Sequence, residues 1–350
     1  MMNWIRQRPN YLVVFLQQQR IFIPFVLFLC LIVYVIQPYP SIAMWLGFGI
    51  AGYSAIANDS IQTLGTFLSS NRDMRWWVLW IFIGGVLVIT YAVGWALGAG
   101  DIAFERLSKI PQPQSFTFFT LSAPIVLIIL TRLRMPVSTT FLLLSTFSGS
   151  VLIKSMLVKT FLGYIVAFVV AILIWGAIAI YSKRSNVERK YNRKRWRVLQ
   201  ACSTGFLWWT WLMHDTANVA VFLPRTLSFN QMAFAVGLLF LIVGLVMYWR
   251  GGNIQTIVTE KTDIVDLRSA TIIDFVLALV LLFFKEINTI PMSTTFVFLG
   301  LLAGREIALT VLSRKAEPYK TTAKLVFKDI TRAGMGLLIS LIMVLFVCKM

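Results

Sequence analysis

The sequence predicts an all-α polytopic membrane protein built from two inverted-topology repeats, with re-entrant helical hairpins and broken helices. Three observations support this fold class. Of the 350 residues, 58% are hydrophobic and only 13% are charged, which excludes an ordinary water-soluble globule. The apolar residues fall into separate runs of membrane-spanning or shorter length. Two polar motifs each occur twice, at nearly the same spacing along the chain.

The apolar runs place the expected helices. Several runs are shorter than the roughly 20 residues that a helix needs to cross the hydrocarbon layer, which predicts broken or re-entrant segments beside full spans. The first run has no small-residue cleavage site after it, so we expect a retained helix rather than a signal peptide. The runs lie at 21–36, 42–57, 75–97, 117–131, 137–153, 158–180, 198–213, 232–249, 270–284, 292–303 and 335–348.

Charge sets the expected orientation. The net charge is +18, but the Lys and Arg residues lie between apolar runs and no nucleic-acid module surrounds them, so no nucleic-acid partner is expected. The basic cluster at 183–197 is predicted to be a cytoplasmic topogenic loop, with a lipid-binding or regulatory patch as the alternative. Counting crossings from a cytoplasmic N-terminus leaves the C-terminus outside. The expected location is a bacterial-type inner (plasma) membrane.

Two motif pairs predict the internal repeat. The segment "IANDSIQTLGT" contains Asp59, and "MHDTANVAVFL" contains Asp215, 156 positions later. The element "PVSTTF" at Pro136 recurs as "PMSTTF" at Pro291, 155 positions later. An odd number of crossings in the first copy inverts the second, as in many secondary transporters. The predicted units are an N-terminal segment with an additional helix (1–41), the first repeat (42–182), the basic loop (183–197) and the second repeat (198–350).

The PxSTT elements predict an anion site. Proline suits the first turn of a helix and Ser or Thr can cap it, so each element indicates a hairpin tip where a half-helix begins. Backbone N–H groups and hydroxyls at such a tip favour an anion. The alternative is that the hydroxyls bond back to the preceding helical turn, but the duplication favours a site. The candidate anion-binding residues are Ser138, Thr139, Thr140, Ser293, Thr294 and Thr295.

The other motif pair predicts a cation site. Asp59 and Asp215 are expected near mid-membrane depth, where ionisable side chains are costly and functional, with a membrane-boundary position as the alternative. Neighbouring amide and hydroxyl oxygens suit a hard cation such as sodium. A cation about 4 Å from an anion contributes on the order of 4 kcal/mol at an effective dielectric of about 20, so cation binding would create the anion site. The candidate cation-binding residues are Asn58, Asp59, Gln62, Thr66, Asp215 and Asn218.

At these residues the sequence resembles the inorganic phosphate transporter (PiT) family of sodium- or proton-coupled phosphate symporters. That family carries two inverted copies of a "GANDVANAxGT"-like signature, each followed by "PxSTTH". The resemblance in order and spacing covers about 42–348. It implies a phosphate held at the midplane by both STT tips, sodium ions on the Asn and Asp side chains, a homodimer, and no cofactor beyond the coupling ion, Na⁺ or H⁺.

Departures from the family pattern leave the substrate and the coupling ion open. Phe141 and Phe296 stand in place of the two motif histidines, and His214 stands where the family has Asn. As the only histidine, His214 is a candidate for proton coupling in place of one sodium, with a structural role as the alternative. Sulfate, another tetrahedral oxyanion, is the alternative substrate.

Charged residues precede both tips. Arg132 and Arg134 come just before the first tip, and Lys285 and Glu286 come before the second. They are expected either to attract the anion along its entry path or to neutralise one another across the repeat interface.

Other function classes fit the sequence less well. With one histidine, no multi-histidine metal site can form, and no GxSxG or HExxH motif occurs, so an enzyme is not expected. An anion channel or a membrane scaffold is the alternative from another class, although a scaffold would leave the duplicated polar motifs unexplained.

Overall fold

The structure is a computed structural model that describes residues 11–71, 73–133, 135, 137–184, 192–249, 267–287, 289–313 and 316–348. These residues form α-helices and one short 3-10 helix, Leu144–Phe147. The helices are α1 (Tyr11–Ile36), α2 (Pro40–Thr63), α3 (Gly65–Ser70), α4 (Trp76–Leu97), α5 (Phe118–Arg132), α6 (Thr139–Leu142), α7 (Ser150–Arg184), α8 (Arg193–Ala220), α9 (Phe229–Tyr248), α10 (Leu267–Ile287), α11 (Thr294–Ser313) and α12 (Ala316–Cys348).

The protein is an integral membrane protein. Among the described residues, six helical segments are long and apolar enough to cross a membrane. Their outward faces are apolar: Ile89 in α4 and Leu173 in α7 are each 66% exposed in the isolated chain. Such faces are stable against lipid rather than water. The six segments are Pro40–Ser60, Trp76–Leu97, Ser150–Ile178, Phe229–Tyr248, Leu267–Ile287 and Thr294–Val311, and three shorter apolar ones are Arg20–Ile36, Phe118–Arg132 and Ile330–Phe346.

The chain after the first tip differs from the predicted runs. The runs at 137–153 and 158–180 predict two helices, but α7 is one helix of 35 residues that begins at Ser150. Lys159 does not interrupt it, because its ammonium donates to the carbonyl oxygen of Ile290 at 2.7 Å. The first tip is therefore followed only by the four-residue helix α6 and the 3-10 helix.

The second tip is followed by a full-length helix. The run at 292–303 predicts a short segment, but α11 has 20 residues. Helix α12 also begins earlier than the run at 335–348 predicts, because its polar first half at 316–332 continues the same helix. The helices that follow the two tips thus differ in length.

Helix pairing relates the two halves of the chain. Helix α2 packs on α5, and α8 packs on α10. The motif spacing makes α8 the counterpart of α2 and α10 the counterpart of α5. Helix α4 packs on its counterpart α9, where the Trp80 indole donates to the carbonyl oxygen of Phe240 at 2.9 Å. The inverted orientation of the copies and their boundaries stay predictions, and positions 185–191 of the basic loop lie outside the described residues.

Two glycines allow α7 and α11 to pack closely. A Cβ atom at Gly300 would clash with the backbone carbonyl of Tyr164, and one at Gly304 would clash with that of Phe168. Small residues four positions apart let membrane helices approach in this way. Because α11 begins at the second tip, this contact holds that tip against α7.

Replacing Gly300 with alanine should therefore destabilise the protein. The obstructing atom is backbone, so α7 and α11 must separate, and overpacking of this kind costs about 1–3 kcal/mol. Thermal unfolding of the purified protein in detergent measures the effect. Gly237→Ala in α9 is the matched control, since nothing lies within 4 Å of a Cβ atom there, and its Tm should be unchanged or higher. An unchanged Tm for Gly300→Ala would contradict the close contact.

Candidate anion and cation site

The two PxSTT tips contact each other through a reciprocal pair of hydrogen bonds. The Thr140 hydroxyl donates to the carbonyl oxygen of Met292 at 3.1 Å, and the Thr295 hydroxyl donates to that of Val137 at 3.2 Å. The two donors are 155 positions apart, and so are the two acceptors. The tips are therefore equivalent partners in one buried contact. The hydroxyls of Thr140 and Thr295, both predicted to bind an anion, here hold the tips together.

The tip serines cap the helices that follow them. The Ser138 hydroxyl accepts from the backbone N–H of Phe141 at 3.3 Å, and the Ser293 hydroxyl accepts from that of Phe296 at 3.5 Å. Both helices thus begin where the motif predicts. However, α6 has only four residues and lacks the aligned peptide dipoles of a longer helix. The expected contribution of a helix N-terminus to anion binding is therefore corrected at the first tip, where side chains must supply most of the interactions with an anion.

The first tip lies against the two motif carboxylates. Asp59 in α2 and Asp215 in α8 are both buried, and the Thr139 hydroxyl is 3.2 Å from an oxygen of the former and 3.3 Å from one of the latter. One hydroxyl proton serves one acceptor at a time, so the Thr139 hydroxyl bridges two carboxyl groups. The Asn58 amide donates to Asp59 at 2.7 Å and to the carbonyl oxygen of Val137 at 2.9 Å, which joins α2 to the tip.

An acceptor oxygen without a donor remains on the side of the second carboxylate. The Asn218 amide nitrogen donates to the Thr139 hydroxyl at 3.0 Å and to Asp215 at 2.5 Å. Asn218 Oδ1, Asp215 Oδ2 and the Thr294 hydroxyl of the second tip are buried and have no partner in hydrogen-bonding geometry. The Thr294 hydroxyl nevertheless interacts with the Asp215 carboxylate, so Asn218 Oδ1 is the oxygen of this group that lacks a donor. Because buried oxygens without a donor are rare and hard cations take oxygen ligands, this group has the chemistry of a cation site.

Thr66 belongs to a different buried cluster. Its hydroxyl donates to Asp274 Oδ1 at 2.7 Å, and the Thr204 hydroxyl donates to Asp274 Oδ2 at 2.5 Å. The proton of Thr66 is thus directed to α10 rather than to Asp59, and the predicted role of its oxygen as a cation ligand stays a prediction. The side chain of Gln62, also a predicted cation ligand, lies outside the described residues.

His214 is enclosed between an arginine and a backbone carbonyl. Arg106 Nη2 lies 2.9 Å from His214 Nδ1, and His214 Nε2 lies 2.6 Å from the carbonyl oxygen of Leu281. Because a guanidinium only donates, Nδ1 accepts and Nε2 carries the proton. A second proton on Nδ1 would break the Arg106 contact and place two cations together. The geometry therefore argues against the predicted proton-coupling role and favours a positioning role for His214.

Two buried cations meet at the start of the second tip. Lys159 Nζ donates to the carbonyl oxygen of Ile290 at 2.7 Å, and Arg106 Nη2 lies 3.5 Å from the same oxygen. Arg106 is 2% exposed and Lys159 is 6% exposed. The Arg106 guanidinium is attracted by the Asp215 carboxylate and repelled by the Lys159 ammonium.

Arg132, one of the two arginines predicted to attract the anion, contacts an aromatic ring of α1. The Arg132 guanidinium lies over the ring of Phe22 in α1, 4.3 Å from the ring centroid. Arg134 and Pro136 lie outside the described residues. Attraction by Arg132 stays a prediction, while the cations found beside the second tip are Arg106 and Lys159.

Sequence reasoning missed Arg106 and Asp274 as parts of the buried polar network. Neither residue belongs to a duplicated motif: the position 155 residues before Asp274 is Phe119. A carboxylate within the apolar run at 270–284 was the available signal for Asp274. Arg106 carried none, since a charge-balanced connecting segment normally faces water.

Comparison with known proteins adds one finding on the fold. No protein-family model matches the chain, and no curated protein matches it. Among solved structures, it matches one titled "The sodium-dependent phosphate transporter", with a TM-score of 0.52 and 17% sequence identity. The match covers 87% of this chain and 99% of the other. This chain has that transporter's fold. At this identity, the roles of individual residues rest on the geometry described above.

Within this transporter fold, the reciprocal tip contact makes a direct prediction. Thr140→Val and Thr295→Val each remove one donor at nearly constant volume, but only the carbonyl of Val137 keeps a second donor, the Asn58 amide. Thr140→Val should therefore lower the free energy of unfolding by about 1–3 kcal/mol and Thr295→Val by about 0.5–1.5 kcal/mol. Thermal unfolding in detergent measures both. Thr331→Val is the control, because that hydroxyl is exposed and bonds within α12 to the carbonyl of Phe327. A loss at only one tip would contradict their equivalence.

Proposed function

We propose that this protein is a secondary active transporter that couples a cation, sodium in the first instance, to the symport of inorganic phosphate across the plasma membrane. The observation that carries the proposal is the shared Thr139 hydroxyl, which brings one tip and both motif carboxylates, Asp59 and Asp215, into a single buried group. The name of the structural neighbour supports phosphate and sodium as the substrates to test first.

The electrostatics of this group favour ordered binding. Asp59 and Asp215 repel one another, and both would repel a phosphate at the tips. A cation on Asp215 Oδ2 and Asn218 Oδ1 would neutralise one carboxylate and attract the anion. At about 4 Å and an effective dielectric of about 20 this attraction is on the order of 4 kcal/mol, comparable with the several kcal/mol needed to desolvate an ion. The cation therefore binds first.

The tip hydroxyls have separate tasks in this mechanism. Ser138 and Ser293 keep the helix starts in place, and the Thr139 and Thr294 hydroxyls lie where they can turn from a carboxylate to an anion. Movement of the two copies relative to each other would then expose the site to either side in turn, as in other transporters with repeats.

Several parts of the proposal extend beyond this group. We propose an inverted arrangement of the repeats, a cytoplasmic N-terminus with an external C-terminus, and a homodimer. Sulfate is the alternative substrate, and the proton is the alternative coupling ion. An anion channel is the competitor from another class, and it is distinguished by uptake without a cation gradient.

Uptake into proteoliposomes tests the coupling. Labelled phosphate should accumulate against its gradient when sodium is imposed outside. Asp59→Asn and Asp215→Asn should each reduce uptake to the level of empty liposomes, because a neutral amide cannot hold the cation as a carboxylate does. Asp73→Asn is the control, since Asp73 is an exposed partner of Arg197 away from the tips. If neither sodium nor proton gradients drive uptake of phosphate or sulfate, the symporter proposal fails.

Substitutions at the two tips test whether the anion is held from both sides. Thr139→Val and Thr294→Val should each raise the anion concentration for half-maximal uptake about 10-fold, the loss expected for one hydrogen bond to a charged group. Thr139→Ser, which keeps the hydroxyl, should restore most of the affinity. An effect at Thr139 with none at Thr294 would indicate a one-sided site.

A further inference from the structure

A cleft of about 460 Å³ opens beside the second tip. It lies between the end of α4, the connecting segment after it, the middle of α8 and the end of α10. Its wall is mostly apolar and aromatic, with contributions from Val93, Phe104, Trp209 and Met213. Pockets of this size with a few placed polar groups are typical of small-ligand sites.

The charges of the cleft differ between its mouth and its buried end. At the mouth, Asp101 accepts from the backbone N–H groups of Ala103 and Glu105 at 2.6 and 2.7 Å, and Lys285 pairs with Glu286 at 2.9 Å. Together with Glu105 these groups carry more negative than positive charge, but they are in contact with water, which screens them. Arg106 is the one charged lining residue at the buried end of the cleft. A charge in that environment attracts an anion far more strongly than the same charge would in water.

Arg106 has bonding capacity that the fold does not use. Its Nε is buried and donates no hydrogen bond. Its Nη2 contacts are a neutral imidazole, His214, and a distant carbonyl, Ile290. The same carbonyl receives Lys159, so two like charges repel one another at this point. Leaving a buried guanidinium donor unmatched is costly, whereas an oxyanion would satisfy it and relieve the repulsion.

We propose that the buried end of this cleft is an anion-binding site, where Arg106, assisted by Lys159, takes a tetrahedral oxyanion, phosphate or sulfate, before it reaches the tip hydroxyls. The planar guanidinium suits two oxygens of such an anion. Both cations contact the carbonyl oxygen of Ile290, the residue just before Pro291, so an anion bound here lies next to the second tip. The order of the two sites rests on the proposed transport function, but binding at the cleft does not.

Cysteine labelling measures occupancy of the cleft directly. In a background with the three native cysteines replaced by serine, Thr289→Cys places a thiol on the cleft wall, and Ser115→Cys places one on an exposed part of the same connecting segment outside it. Inorganic phosphate or sulfate should slow the reaction of Thr289→Cys with a small anionic methanethiosulfonate and leave Ser115→Cys unchanged. Protection by phosphate and not sulfate would assign phosphate, and the reverse would assign sulfate. No protection by either anion would overturn the site.

Charge removal then tests Arg106 itself. Arg106→Gln should raise the anion concentration for half-protection about 10-fold or more, because a charge-assisted contact is lost, and Arg106→Lys should give a smaller rise. Lys109→Gln is the matched control, an equal loss of charge three residues away on an exposed side chain that does not line the cleft. A lower Tm for Arg106→Gln with unchanged half-protection would show a purely structural role and overturn the proposal.

The results of these two experiments on the cleft are independent of the result of the transport assay. Labelling needs no ion gradient, so its failure leaves symport through Asp59 and Asp215 standing. Likewise, loss of sodium-driven uptake with intact anion protection would reject symport and retain the cleft site. If Arg106→Gln does not yield folded protein, protection of Thr289→Cys in the otherwise native chain still decides the proposal.

Discussion

Two buried carboxylates that share one hydroxyl are the constraint on which this structure depends. Asp59 and Asp215 reach Thr139 from different helices, and membrane lipid offers neither charge any solvation. The fold must therefore supply amide donors on both sides, through Asn58 and Asn218. It must also bring a tip of non-helical backbone into the same region, which is tolerated only because protein surrounds it. The packing of α2, α8 and both tips follows from this requirement.

The sequence predicted the parts of the site that depend on local chemistry. A proline followed by Ser and Thr allows few conformations other than a capped helix start, and Ser138 and Ser293 occupy that position. Duplication located the carboxylates Asp59 and Asp215, because a polar group that recurs in an apolar sequence is rarely filler. The all-helical membrane fold followed from composition and run length alone.

The remaining features depend on contacts between residues far apart in sequence. The gap at 154–157 between two predicted runs lies inside α7, and the nearby Lys159 is buried in that helix because the carbonyl oxygen of Ile290, 131 positions away, accepts from its ammonium. Arg106 resembles an ordinary loop charge, and only the packing of His214 and the second tip buries it. Thr66 likewise stands within a motif next to Asp59 yet bonds to Asp274, because partner choice is set by helix geometry rather than spacing.

The unequal helices after the two tips make them mechanically different parts. The second tip is the end of a rod of 20 residues held against α7 by Gly300 and Gly304, so it can move only with that rod. The first tip is followed by only four helical residues and a 3-10 segment, and its bonds to Asn58 and Asn218 attach it to α2 and α8 instead. Although the tips meet through equivalent hydrogen bonds, the second tip is thus anchored by the helix that follows it and the first tip by the helices around it.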